Sequence, residues 1–280
     1  MKIIIGTANL FKKYGINNNL ISNKEFSYIA NFNKAKSINS LDCSAEYGNL
    51  SKIKKIYKNK FDLFIKFKTI NKKKEINIEK TIKKINKLLL NVNKIYCLMF
   101  HDIDDLKFKN SKLIYEYILK LKRKKKVNKI GISIYETNEL KYLNKNYYFD
   151  YVQVPVNLIN QSFNFRNTKL LRKKGTKFLA RSIFLQGAVF NKKFLIKHKI
   201  LLKKITDLKK KYSENIKLFF LEYIKKQSWL NGIVIGIDNV EQFKEIINKL
   251  NSKKKIFFNS KKFKITKKNI IDPRTWKWKF

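Results

Sequence analysis

Eight short apolar runs, separated by lysine-rich stretches, constrain this chain more than any other feature. They are Ile3–Thr7, Ser40–Cys43, Leu63–Phe67, Ile95–Phe100, Lys129–Ser133, Tyr151–Pro155, Lys177–Arg181 and Ile233–Ile237. Each has the length of a strand and is apolar almost throughout, as expected of strands buried on both faces. The intervening stretches carry helical spacing. Ile76–Leu90 sets Ile76, Ile78, Ile82, Ile85 and Leu88–Leu90 on or near one face, and Ser111–Lys125 and Asn239–Leu250 read the same way.

Strand followed by helix, eight times over, implies a parallel sheet. Eight such units suit a closed (β/α)8 barrel, with a doubly wound open sheet as the competing arrangement. A length of 280 residues fits one barrel, and no Pro- or Gly-rich linker divides the chain, so 1–280 reads as a single domain. The longest stretch that reads as irregular, Gly187 to about Lys209, follows the seventh run and is expected over the barrel mouth.

Charge is the second constraint. The chain has 65 Lys+Arg against 20 Asp+Glu, a net of +45. Such an excess ordinarily points to nucleic acid or an anionic membrane. Here the cations are nearly all lysines, dispersed along the chain among many Asn and Ile, the residues of A/T-rich codons. A nucleic-acid site would gather them on one face, interleaved with exposed aromatics. The expectation is a solvated surface with no specific nucleic-acid partner and no membrane, beyond loose attraction to polyanions at low salt. Cys43 and Cys97 lie in apolar runs, as core residues of a reducing compartment do. No metal-ligand spacing is present. The Met1–Gly6 run is too short for a signal peptide, and no apolar stretch approaches a membrane span. The cytoplasm is the expected location, and the oligomeric state is not readable.

Four residues at the ends of the second, third and fourth runs form one chemical constellation. Asp42 ends an apolar run in Leu41-Asp42-Cys43-Ser44-Ala45-Glu46-Tyr47-Gly48. Lys66 lies in Asp62-Leu63-Phe64-Ile65-Lys66-Phe67-Lys68, pointing the same way as Phe64. A lysine inside a barrel is costly unless paired, and Asp42 on the next strand is the obvious partner. His101 closes the fourth run. A tyrosine needs help to exchange protons near neutrality, and a nearby ammonium lowers its pKa. Asp42 would hold the ammonium, His101 would orient a substrate oxygen, and Tyr47 would deliver its proton: a carbonyl-reduction site.

In this arrangement the sequence resembles the aldo/keto reductases, which carry an Asp-Tyr-Lys-His tetrad over strands two to four of a (β/α)8 barrel. The resemblance spans the chain. Ile5-Gly6-Thr7-Ala8 and Tyr14-Gly15-Ile16 are similar to the family's opening strand and turn. Ser133 in Ile130-Gly131-Ile132-Ser133, and Gln153 in Val152-Gln153-Val154-Pro155, match residues that contact the nicotinamide carboxamide. Arg181-Ser182-Ile183-Phe184-Leu185-Gln186-Gly187 matches the segment beside the pyrophosphate, and Gly236-Ile237-Asp238-Asn239-Val240-Glu241-Gln242 the loop that cradles the adenosine phosphate. The Asp272-Pro273-Arg274-Thr275-Trp276 ending resembles the tail of a bacterial subgroup often associated with surface-polysaccharide genes.

The resemblance implies an NAD(P)H-dependent reductase of a small carbonyl substrate, a sugar derivative among the candidates. It implies Asp42, Tyr47, Lys66 and His101 as catalytic residues and Gly6, Thr7, Ser133, Gln153, Arg181, Ser182, Gly236, Ile237, Asp238 and Gln242 around the cofactor. NAD(H) is favoured over NADP(H), because the last loop offers Asp238 and Glu241 and no cation before Lys244. Two departures stand out: Ile134 where many relatives have asparagine, and Arg181 where many have an aromatic on the nicotinamide ring. Lys68 competes with Lys66 for the catalytic match. The second functional class is a catalytically weak barrel that binds nicotinamide nucleotide as a sensor or subunit.

Overall fold

The apolar runs become eight strands: β1 Lys2–Gly6, β2 Ser40–Ser44, β3 Asp62–Phe67, β4 Ile95–Phe100, β5 Val127–Ser133, β6 Tyr151–Pro155, β7 Lys177–Arg181 and β8 Leu230–Ile235. This computed structural model describes residues 1–10, 16, 20–35, 38–48, 50, 61–69, 76–92, 95–108, 110–212, 215–253 and 256–276. Each strand pairs in parallel with the next, and β8 returns to β1 with Ile3 opposite Ile233 and Ile5 opposite Ile235. That closure removes the open-sheet alternative.

Among the described residues, helices Asn23–Ala35, Ile78–Asn91, Ser111–Arg123, Glu139–Asn146, Lys169–Lys173 and Val240–Asn251 follow strands and pack around the barrel. Residues 51–60, where the segment after the second strand is expected, lie outside the described residues, as do Tyr14 and Gly15 of the opening turn. Strand alternation splits the core in two. Outward positions such as Ile5, Leu41, Ile65, Leu98, Ile130, Val152, Ala180 and Ile233 pack under the helices, whereas Ile4, Phe64, Met99, Tyr151, Leu179 and Val234 fill the barrel.

Two expectations need correction. Gly187 to Lys209 is not irregular: a 3-10 turn Leu185–Phe190 leads into helices Lys192–Lys197 and Lys199–Lys211, with Ile216–Lys225 following. Leu201, Ile205 and Leu208 recur at helical spacing and are buried, but lysines on the other face mask the pattern. The eighth strand runs Leu230–Ile235 rather than Ile233–Ile237, which leaves Gly236, Ile237 and Asp238 as a turn at the barrel mouth. Cys43 and Cys97 are buried free thiols. No helix among the described residues is long and apolar enough to cross a membrane.

Candidate active site

The C-terminal end of the barrel holds a buried charged pair. Lys66 bonds the Asp42 carboxylate, and the two side chains are each only 6% exposed. Gln153 completes the pair: its Nε2 donates to Asp42 Oδ1 at 2.6 Å, and its Oε1 accepts from Lys66 Nζ at 3.5 Å. An ion pair at such depth is tolerable because both members are satisfied. Lys68 is exposed, so only Lys66 of the two candidate lysines enters the barrel.

Tyr47 reaches the same cavity from a 3-10 turn, Ala45–Tyr47. Ser44 caps that turn by accepting from the Glu46 N–H, and Gly48 ends it at φ 71°, a left-handed conformation that favours glycine. Burial pushes the Tyr47 phenol well above its ordinary pKa, Asp42 adds to the rise, and Arg181 opposes it. The expected lowering by Lys66 is therefore corrected: the charge of that ammonium is matched by Asp42, and desolvation dominates.

His101 follows β4, and its backbone N–H donates to the Phe67 carbonyl at 2.9 Å. Burial first, then the charges of Lys66, Lys68, Arg181 and Lys84, lower its pKa to about 3, so the imidazole is neutral near pH 7. Its Nδ1 lies 3.3 Å from Ser44 Oγ. The Ser44 hydroxyl accepts from Glu46 N–H, and its one proton is available for donation to Nδ1. With the Ser44 proton given to Nδ1 in this way, Nε2 would carry the imidazole proton.

A cleft of about 180 Å³ is lined by Asp42, Tyr47, Lys66 and His101, and it runs on to Gly6, Gly236, Asp238 and Gln242. Ser133, Arg181 and Ser182 line it too. Three of the residues expected there do not. Thr7 is fully buried, its hydroxyl donating to the Asp42 carbonyl at 3.0 Å. Gln153 lies behind the Asp42–Lys66 pair. Ile237 is buried, and its carbonyl accepts from Asn9 Nδ2.

The far part of the cleft lies against a glycine and the start of a helix. A Cβ built on Gly236 meets nothing within 4 Å, so this glycine leaves open space at the mouth. Asp238 N–H donates to Gln242 Oε1 at 2.7 Å, and Asn239 caps the helix Val240–Asn251 by accepting from Gln242 N–H. A helix N-terminus there suits a phosphate. The cleft wall after β7 is strained: Ser182, Leu185 and Gln186 hold φ of 55°, 51° and 51°. Such outliers gather where a loop is shaped for a ligand. Ile16 N–H donates to the Gln186 carbonyl at 3.4 Å, joining the loops after β1 and β7.

Sequence reasoning missed Asn9, Tyr135 and the positioning role of Ser44. Tyr135 lines the cleft with Arg181 Cζ 4.0 Å from its ring centre. No group of three or more His, Cys, Asp or Glu suited to a metal occurs among the described residues.

Comparison with known proteins gives a consistent result. The model of the aldo/keto reductase family matches residues 2–261. An aldo-keto reductase from Bacillus halodurans, solved in a holo form, superposes with a TM-score of 0.68 at 13% identity, covering 94% of this chain and 89% of that one. A glycerol dehydrogenase from Gluconobacter oxydans gives 0.67 at 15% identity, over 93% and 89% of the two chains. An aldo-keto reductase from a Medee basin deep-sea metagenome library gives 0.60 at 18% identity, over 97% and 94%. No curated protein sequence gives a significant match.

Proposed function

The chain belongs to the aldo/keto reductase family, an oxidoreductase family, and from that premise we propose that it reduces the carbonyl of a small polar molecule with a nicotinamide dinucleotide, preferring NAD(H). A sugar derivative fits the resemblance of the Asp272–Trp276 tail. The observation that carries the reading is the convergence of Tyr47, neutral His101 and the buried Asp42–Lys66 pair on one cleft.

When bound, the reduced nicotinamide supplies a hydride to the carbonyl carbon. The protein handles the oxygen. His101 donates its Nε2–H to that oxygen and orients it. Tyr47 then gives up its phenolic proton as the oxygen becomes an alkoxide, a stronger base than a phenolate. The raised pKa of Tyr47 keeps the proton in place until that moment. Asp42 and Lys66 form a fixed dipole beneath the reacting group, and their satisfied hydrogen bonds remove any need to reorganise. Ser133, Gly6, Gly236, Asp238 and Gln242 would hold the cofactor.

The preference for NAD(H) rests on charge. Asp238 and Glu241 sit at the start of the helix Val240–Asn251, and a ribose hydroxyl can donate to a carboxylate where a 2′-phosphate is repelled. Lys244, the nearest cation in sequence, lies 4.8 Å from the Tyr28 ring centre. Fluorescence titration with NADH and NADPH at moderate salt tests the proposal. Saturable binding, tighter for NADH and lost in Gly236→Trp, is expected. Saturable binding of neither nucleotide would refute the nicotinamide reading, and tighter NADPH binding would refute the preference.

A further inference from the structure

Two cations line the cleft, and they are in opposite states. Lys66 is closed off by Asp42 and Gln153. Arg181, half-buried at the end of β7, has no carboxylate within ion-pair distance among the described residues, whereas nine carboxylate-bearing residues hold lysines or Arg274 closer than 3.2 Å. A partly desolvated guanidinium with no counter-charge is unfavourable, and a ligand anion offsets it.

We propose that Arg181 docks a carboxylate of the substrate, so that the molecules reduced here are oxo acids: aldehydes or ketones bearing a carboxylate a few bonds from the carbonyl. The inference rests on the carbonyl-reductase reading above and reassigns Arg181 from cofactor to substrate.

The guanidinium is held in place before any ligand arrives. Arg181 Nε donates to Ser133 Oγ at 3.1 Å, and Nη2 donates to the Ile134 carbonyl at 3.1 Å. Its Cζ lies 4.0 Å from the centre of the Tyr135 ring. Tyr135 is itself pinned, because Arg274 Cζ stands 3.8 Å from the same ring centre. Both guanidinium groups therefore pack against the one ring. Arg274 in turn is anchored, with Asp272 at 2.8 Å, Glu136 at 3.6 Å and Asp102 at 3.8 Å. The C-terminal segment thus braces Tyr135, and Tyr135 braces Arg181. Two of the five guanidinium N–H groups are used within the protein, leaving the others for a ligand. Little side-chain freedom remains to be lost on binding.

Position and charge select the ligand. Arg181 lines the same cleft as Tyr47 and His101, so a group bound to it shares the cleft with the reacting centre. One unpaired guanidinium matches one singly charged planar carboxylate; a phosphate dianion would call for further donors. Ile134 contributes its backbone carbonyl to this arrangement, which explains how a residue without a polar side chain serves at that position.

The test compares succinate semialdehyde with butanal, which differ by the carboxylate, and glyceraldehyde 3-phosphate with glyceraldehyde, at about 0.15 M salt to screen the general charge of the chain. Wild type is expected to favour succinate semialdehyde over butanal by roughly 10- to 100-fold in kcat/KM, as a charged hydrogen-bonded pair supplies. Arg181→Gln should collapse that ratio towards one, chiefly through KM, while the NADH dissociation constant stays within about 2-fold; these are order-of-magnitude expectations from the same source. Arg181→Lys should restore part of it, and the surface control Lys120→Gln none of it lost. Calorimetric binding of succinate to the cofactor-free protein, present in wild type and absent in Arg181→Gln, gives a readout independent of turnover. A ratio near one in wild type, or one that survives Arg181→Gln, overturns the proposal. So does a weakened NADH affinity with an unchanged ratio, which would return Arg181 to the cofactor, or a stronger preference for the phosphate ester. If no aldehyde is reduced at all, the carbonyl-reductase reading fails, and succinate binding still decides for or against Arg181.

Discussion

Two levels of the barrel interior lie two residues apart along the strands and the residues that directly follow them, and they have opposite chemistry. At the floor the inward residues are Ile4, Phe64, Met99, Tyr151, Leu179 and Val234. Two positions further along are Gly6, Lys66, His101, Gln153, Arg181 and Gly236. The floor satisfies itself. Tyr96 and Tyr151 share a hydrogen bond of 3.2 Å, the Phe64 and Tyr151 rings meet edge-on at 5.2 Å, and Lys2 caps the end on Asp62. The mouth has small residues that leave space and, among the described residues, a cation without a carboxylate in ion-pair range. The difference shows where each strand changes from packing to binding, as expected for a barrel whose chemistry sits at the C-terminal ends of its strands.

Substitutions at the two levels should therefore separate activity from stability. The largest effect is expected for Tyr47→Phe. Loss of a general acid costs on the order of 100- to 10,000-fold in turnover, with thermal stability and NADH binding close to wild type. Near-normal kcat in this variant would remove Tyr47 from the chemistry.

Lys66→Met comes next and should break both properties. It strands the Asp42 carboxylate in the interior, at a cost of about 3–5 kcal/mol. The double variant Asp42→Leu/Lys66→Met should regain most of that stability in denaturant titration but no turnover. Lys68→Met, on an exposed side chain, should change neither. Recovery of activity in the double variant would contradict the role of the pair.

At the floor, Tyr151→Phe should do the reverse. It removes one hydroxyl of the Tyr96–Tyr151 bond, for roughly 1 kcal/mol of stability, and leaves kcat/KM unchanged. A loss of turnover larger than the loss of folded protein would mean that the two levels are not independent.

The smallest effect concerns pH. Because the folded-state pKa of His101 is lowered to about 3 from 6.5, kcat/KM should be level between about pH 5 and 8, with no limb near 6.5. The sign for stability follows. The unfolded chain takes up the His101 proton as pH falls below 6.5, whereas the folded chain resists until about 3, so this group destabilises the fold progressively across that window. A melting series should show that component removed in His101→Gln.

Much of this was legible in the sequence, for identifiable reasons. A lysine at an inward position of an apolar run has few solutions, so Lys66 and its partner Asp42 could be read together. Strands buried on both faces announce themselves by continuous apolar runs. Contacts between distant loops leave no such trace. Nothing local marks Asn9, whose amide reaches the Ile237 carbonyl 228 positions away, or Tyr135, which acquires its place from Arg181 and Arg274. Gln153 was visible as a polar residue in a buried strand, but its partners depend on barrel closure, which sets its amide on Asp42 rather than on the open cleft. The helices after β7 were hidden because lysines crowd their exposed faces.

The most direct test of the account follows the hydrogen itself. Succinate semialdehyde, or butanal if the carboxylate proves unimportant, is incubated with NADH deuterated at the transferable position, and the product alcohol is examined by mass spectrometry and NMR. The account predicts one deuterium on the former carbonyl carbon, none on the oxygen after exchange with water, and transfer slowed in Tyr47→Phe by the same factor as turnover. Product without deuterium at that carbon, or transfer at an undiminished rate in Tyr47→Phe, would contradict it.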